Sequence, residues 1–425
     1  MKLSRRAVLA VGAAAIGGAA LMRSADRSGP RAPYFERLQQ ALQREGVATP
    51  TLVVDRTRLE ANVDRLGRDL PSGMAYRIVA KSLPAPGLLE AVRARSGSER
   101  LMTFNLPMLL ELARAMPGVT QFLGKPLPVT AAAAFLAQLP SASRDAAARV
   151  TWLMDTPERV RQYDALARGQ AHPLDVAIEL DVGLHRGGQS PGEGLARLLD
   201  ALKASPGLRF AGLMGYEPHV PAVPELFGLR ERALARSWEA YRQATEQVGT
   251  AIGEQRLQGV ILNAAGSLTY RLYRDTGVAN ELSAGSALVK PAGFDTPLLE
   301  AMEPACFIAT PVLKSLPETR LPDVFGAIST LQALWDPNTR RTVFIHGGHW
   351  LAQPVDPPGL QYNGLFGRSS NQEMLNAGEA LSLPPDDFVF FRPDQSEAVF
   401  QQFGDIAVFD GERIAGWWPV FPARG

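Results

Sequence analysis

Lys81 follows the apolar run Tyr76-Arg77-Ile78-Val79-Ala80, so its amine stands where a buried strand gives way to a loop. An amine in that place can attack a carbonyl carbon and hold it as a Schiff base. Taken alone it is a solvated lysine past a strand, but other chemistry-bearing residues end the runs downstream. Asp181-Val182-Gly183-Leu184-His185-Arg186 brings a guanidinium, and Gly215-Tyr216-Glu217-Pro218-His219 brings a phenol, a carboxylate and an imidazole. Tyr216 or His219 can serve as a second acid/base opposite the lysine; the alternative is a packed ring and a loop histidine, and geometry decides. Gly266-Ser267 and Gly285-Ser286 are small-residue turns where amides and hydroxyls can gather round an anion.

Those residues need elements to aim them. Strand-like runs cover Leu52–Asp55, Tyr76–Ala80, Leu101–Phe104, Gln121–Gly124, Val150–Asp155, Val176–Asp181, Phe210–Tyr216, Val260–Asn263 and Glu281–Leu288. Between them, stretches such as Gly192–Lys203 and Leu229–Val248 carry the Leu/Ala spacing of amphipathic helices. Counted from Tyr76 the strands number eight, which predicts an α/β fold, a closed (β/α)8 TIM-type barrel over residues 34–295. No Gly-x-Gly-x-x-Gly follows the first strand, which argues against a dinucleotide fold. Past Pro291 the runs shorten to Phe307–Leu313, Arg341–Ile345, Asp387–Phe391 and Ile406–Phe409, with one helix-like stretch at Met374–Leu381. A mostly β C-terminal domain over residues 296–425 is predicted, the boundary falling near 291–303.

The 425 residues, 46% hydrophobic and 20% charged, can bury a large core. Forty-four basic against 43 acidic residues imply no attraction to nucleic acid and favour small-molecule chemistry. Cys306 is the single cysteine and sits in an apolar run, which excludes an intrachain disulfide and points to a buried thiol. Ser4-Arg5-Arg6 followed by an Ala/Gly-rich run to Met22 reads as a twin-arginine export signal, with residues 1–33 as signal and linker. The expected location is the periplasm, reached through the twin-arginine machinery. An uncleaved N-terminal membrane anchor is the alternative.

Thr51-Leu52-Val53-Val54-Asp55 with Leu59-Glu60-Ala61-Asn62, then Ala80-Lys81, then Asp181 to Gly188, together resemble the alanine-racemase-type barrel of fold-type III pyridoxal phosphate enzymes. Within it the chain looks most like the D-threonine aldolase and D-serine dehydratase branch, over roughly residues 48–420. The resemblance implies that Lys81 holds pyridoxal 5'-phosphate as an internal aldimine. It places Arg186 near the cofactor's phenolic oxygen or the substrate carboxylate, which a guanidinium fork suits. It sets Asn263, Gly266, Ser267, Gly285 and Ser286 around the phosphate.

Two departures bear on the reaction. Racemases of this type carry an arginine two residues before the glycine equivalent to Gly285, facing the pyridine nitrogen; this chain has Ser283. Aldolases and dehydratases of the branch carry a Pro-x-His-x-Cys or Pro-x-His-x-Asp metal pair, where this chain reads Pro393-Asp394-Gln395-Ser396-Glu397. An amide is a poor zinc ligand, so a divalent metal stays open and no metal residue is assigned. His346 and His349 have metal-compatible spacing but no firm third ligand. Gln395 and Glu397 are expected to line the substrate pocket, entering from the partner subunit of the homodimer that the resemblance implies. The function implied is a lyase on a D- or β-hydroxy-amino acid; an amino-acid racemase and a non-catalytic pyridoxal-phosphate-binding protein are the alternatives.

Overall fold

The computed structural model describes residues 24–139, 141–320 and 335–422. The twin-arginine motif and apolar run of residues 1–23 lie outside the described residues. No described helix is long and apolar enough to cross a membrane.

Helix α1 (Pro33–Arg44), strand β1 (Thr51–Asp55) and helix α2 (Arg56–Asp69) come first. Then follow β2 (Ala75–Val79), α3 (Pro86–Ser96), β3 (Arg100–Thr103), α4 (Leu106–Ala115), β4 (Thr120–Leu123), α5 (Val129–Gln138) and β5 (Val150–Met154). The alternation continues through α6 (Pro157–Ala167), β6 (Leu174–Leu180), α7 (Glu193–Lys203), β7 (Leu208–Gly215), α8 (Leu229–Ile252), β8 (Ile261–Ala264) and β9 (Glu281–Ala284) to the short helix α9 (Ser286–Val289). Strands β2 to β9 pair in parallel in chain order, and β9 returns to β2 to close the barrel. This is the (β/α)8 barrel that the eight runs from Tyr76 predict. Strands buried on both faces need continuous apolar sequence, and Val150–Met154 is buried at every position.

The helices start where the sequence supplies a cap. Asp55, Asn105 and Thr156 accept the N–H groups of Arg58, Met108 and Arg159, and prolines open α3, α4 and α6 where a missing N–H costs nothing.

The remaining elements are β10 (Cys306–Leu316), β11 (Arg341–His346), β12 (Ala352–Asp356), β13 (Gln361–Tyr362), β14 (Gln372–Ala377), β15 (Phe388–Pro393), helix α10 (Ser396–Val399), β16 (Ile406–Phe409) and β17 (Ile414–Trp418). With β1, the eight strands among them build a nine-stranded sheet in which β13, β14, β11 and β10 run as antiparallel neighbours and β15 pairs both β10 and β12. An aromatic cluster fills its core: the Phe35 ring lies 4.9 Å from Phe390 and 5.0 Å from Phe307, in the range where edge and tilted contacts are favourable.

Four expectations change. The run Glu281–Leu288 is a strand only to Ala284, because Gly285 turns the chain into α9. Met374–Leu381 is not helical: Gln372–Ala377 is β14, laddered by β11 on one side and β13 on the other, and tertiary pairing overrides its helix-compatible composition. Residues 24–32 are not a free linker. Asn338 bonds Ala25 O and Arg27 N, Ser28 Oγ accepts from Gly378 N, and Arg31 pairs with Asp356 at 2.8 Å. Finally, the two compact units interleave instead of dividing at residue 295. Among the described residues the barrel unit is drawn from 54–139, 141–306, Asp394–Val408 and 416–422, and the sheet unit from 24–53, 307–320, 335–393 and Phe409–Ala415.

Candidate active site

β2 ends at Val79, and Ala80–Ser82 form one tight turn in which Ala80 and Ser82 are buried. The turn sends Lys81 outward, its side chain 43% exposed, into a cavity at the C-terminal ends of the barrel strands. Its Nζ lies 3.6 Å from Glu397 Oε1 and 5.1 Å from the centre of the Phe104 ring. Glu397 Oε1 accepts from the Ser82 hydroxyl at 2.8 Å, and the Ser286 hydroxyl, which donates to Ser82 Oγ at 2.9 Å, lies 3.3 Å from it. Burial works against its charge, but the Lys81 ammonium and these hydroxyls outweigh it and hold the carboxyl below its ordinary range. Met102, Phe104, Met214 and Phe294 supply the apolar wall.

The loops after β8 and β9 meet beside Lys81. Ser267 Oγ accepts the N–H groups of Gly285 and Ala287, each at 3.0 Å, so its own hydrogen is left to donate. Two of the amides expected to form an open nest are thus already held by this serine. Gly266 and Gly285 are there because nothing larger fits. A Cβ on Gly266 would lie 2.3 Å from the Tyr216 ring, and one on Gly285 2.7 Å from Val79 O. Ala265 adopts φ 64°, and Thr269 Oγ1 accepts from Gly266 N at 3.0 Å, fixing the turn.

Asn263 and Ser283 line the same cavity and are tied to a buried ion pair below it. Asn263 Nδ2 donates to Ser283 Oγ and to Glu281 Oε1, each at 2.8 Å, and Ser283 Oγ lies 3.1 Å from Asn263 Oδ1. Glu281 takes a two-pronged contact from Arg77 at 2.6 and 2.9 Å and a third bond from Arg100 at 3.0 Å. Burial would raise the Glu281 carboxyl, but the Arg77 guanidinium overrides it and holds it low. Sequence reading missed this network. Its signal was an arginine and a glutamate inside two runs that otherwise read as buried strand.

Arg186 also lines the cavity, its guanidinium carbon 5.5 Å from the Tyr216 ring centre. The Tyr216 phenol is pushed up to about 12 by burial and by Glu217 beside it. Glu217 is buried, accepts the Tyr273 hydroxyl at 3.1 Å, and is pushed up to about 7, chiefly by burial. His219 does not line the cavity; its ring packs beside Gly183, with Nε2 3.4 Å from where a Cβ there would be. His185 points to solvent, 80% exposed, with Nδ1 2.8 Å from Asp181 Oδ2.

Gln395 is exposed and only precedes α10, whereas Glu397 reaches Lys81 from the same chain and the same compact unit. Entry of Glu397 from a partner subunit is therefore corrected. In the sheet unit His346 O accepts from Thr310, and His349 N donates to Glu373. Among the described residues no three His, Cys, Asp or Glu side chains converge as a metal-holding group. Cys306 is buried, its Sγ 3.4 Å from Val289 O.

With this geometry in hand, comparison with known proteins gives a consistent result. The chain is similar in fold to the D-threonine aldolase from Filomicrobium marinum, at 20% identity over 88% of this chain and 95% of that one, TM-score 0.68. It is similar to the D-threo-3-hydroxyaspartate dehydratase from Delftia sp. HT23, at 16% identity over 89% and 98%, TM-score 0.68. It is also similar to the alanine racemase from Bacillus anthracis, at 14% identity over 88% and 98%, TM-score 0.64. No curated protein matches the chain. A family model described as alanine racemase, N-terminal domain, matches residues 54–292, and that family implies pyridoxal phosphate. The residues present fit the group: an amine for its aldehyde, the Ser267 hydroxyl beside two space-giving glycines for its phosphate, and a guanidinium for acidic oxygens. The chain, matched across its whole barrel from Val54 to Ala292, belongs to the alanine racemase N-terminal domain family.

Proposed function

We propose that this protein is a pyridoxal-phosphate-dependent lyase acting on a D- or β-hydroxy-amino acid, of the D-threonine aldolase or D-serine dehydratase type. The observation that carries the reading is Lys81 in one cavity with Arg186, Ser267, Gly285 and Ser286. Lys81 would anchor the cofactor, Ser267 would donate to its phosphate, and Arg186 would hold its phenolic oxygen or the substrate carboxylate. When bound, the cofactor supplies an electron sink for the pair released at the substrate's α-carbon.

The chain's own groups then handle protons. With its phenol pushed up to about 12, Tyr216 stays protonated at neutral pH and acts as a donor at the substrate. Retro-aldol cleavage takes a proton from the β-hydroxyl as the Cα–Cβ bond breaks, whereas dehydration takes the Cα proton and expels the β-hydroxyl. Ser283, a neutral residue tied to Asn263, supports a lyase over a racemase. Tyr216 sharing the cavity with Lys81 favours racemization as the second reading, because two proton-carrying groups face one space.

Incubating the holoprotein with D- and L-serine and D- and L-threonine tests the proposal. Glycine with aldehyde, or keto acid with ammonia, is the expected product; enantiomer exchange alone would make it a racemase. No reaction with cofactor bound would favour the non-catalytic binding protein. We further propose twin-arginine export to the periplasm and a homodimer, which cell fractionation and sedimentation test.

A further inference from the structure

Among the residues lining the cavity, Glu397 carries the one carboxyl group. Its oxygens are unequally satisfied. Oε1 takes the Ser82 hydroxyl at 2.8 Å, with the Ser286 hydroxyl 3.3 Å and the Lys81 ammonium 3.6 Å away. Oε2 has the Ser396 hydroxyl at 3.4 Å, long against the ~2.5–2.7 Å of a full hydroxyl–carboxylate bond. The carboxylate also takes its own backbone N–H, and the side chain, 28% exposed, lines the cavity and can be reached from it. Ser82, Ser286 and Ser396 are all buried around the group, and Ser286 supports it through Ser82, to whose Oγ it donates at 2.9 Å.

An ionised carboxylate accepts hydrogen bonds and donates none. In a partly closed cavity it attracts a hydroxyl or ammonium and repels a second carboxylate, because the local dielectric screens the charges poorly. We propose that Glu397 is the specificity-determining residue for the substrate side chain, accepting a bond from a β-hydroxyl or a side-chain ammonium and excluding amino acids with a side-chain carboxylate. This rests on reading the cavity as the lyase site. It deepens that reading by naming the substrate class: neutral or basic β-hydroxy-amino acids.

D-Threonine and D-threo-3-hydroxyaspartate are matched probes, since a carboxylate replaces the methyl group. Their binding to the holoprotein is measured by the change in cofactor absorbance, and their KM and kcat where they react, for wild type, Glu397→Gln and Glu397→Asp. Wild type and Glu397→Asp should prefer D-threonine, while Glu397→Gln should shift the binding ratio toward the dicarboxylate by about tenfold or more, mainly in KM. Equal binding of the two by wild type, an unchanged ratio in Glu397→Gln, or failure of both to bind overturns the proposal. The lyase reading fails separately: if both bind and neither reacts, that reading falls and the binding ratio still decides the role of Glu397.

Discussion

Glu217 is the acidic residue whose burial carries the clearest energetic consequence. The residue is 1% exposed, and burial pushes its carboxyl up from an ordinary value of 4.5 to about 7. The fold therefore binds its proton more tightly than the unfolded chain does. The protonated form is the stable one, so this group's contribution is full below pH 4.5 and is lost as pH rises through 7, on the order of 3 kcal/mol. Urea unfolding at pH 5 and pH 8 should show wild type losing more stability across that interval than Glu217→Gln; equal losses would contradict the assignment. At this scale residue type carried much of the reading. Lys81, Arg186, Tyr216, Ser267, Gly285 and Ser286 announce their chemistry at strand ends, and all line one cavity. The contact of Glu397 with Lys81 was illegible because nothing local couples residues so distant in the chain. His219 belongs to the same strand end as Tyr216, yet falls beside Gly183, since a loop residue three positions on has left the register that aims Tyr216 inward.

At the scale of elements, the Arg77–Glu281 pair joins the strands that close the barrel. Arg77 lies on β2 and Glu281 on β9, and both are essentially fully buried. Removing one partner leaves an unpaired buried charge, a loss of ~3–5 kcal/mol. Glu281→Gln should lower the urea midpoint accordingly and also disturb cofactor affinity, because Asn263 and Ser283 depend on Glu281 for their orientation. A variant as stable as wild type would show that the pair does not hold the seam. The barrel strands were legible because burial on both faces demands uninterrupted apolar runs. β14 was not, since Met, Leu, Asn and Ala serve a helix equally well and only the flanking strands decide. Gly285 ended β9 early for a reason of space: its backbone approaches Val79 O too closely for any side chain.

At the scale of the whole molecule, the eightfold rhythm of strands was readable from the sequence, and the interleaving of the two units was not. Pairings between segments hundreds of residues apart leave no local period to detect. Residues 394–408 return to the barrel unit carrying Val399 and Phe400, both fully buried, and each such side chain contributes ~1.5–3 kcal/mol. A chain cut after Cys306 should therefore lack a cooperative thermal transition; native-like cooperativity would contradict this division. The task we propose for the barrel is to present Lys81 to pyridoxal phosphate. Borohydride reduction of the holoprotein followed by peptide mapping tests it most directly. A pyridoxyl group is expected on Lys81 and none in Lys81→Ala, whereas labelling of another lysine in wild type would overturn the assignment.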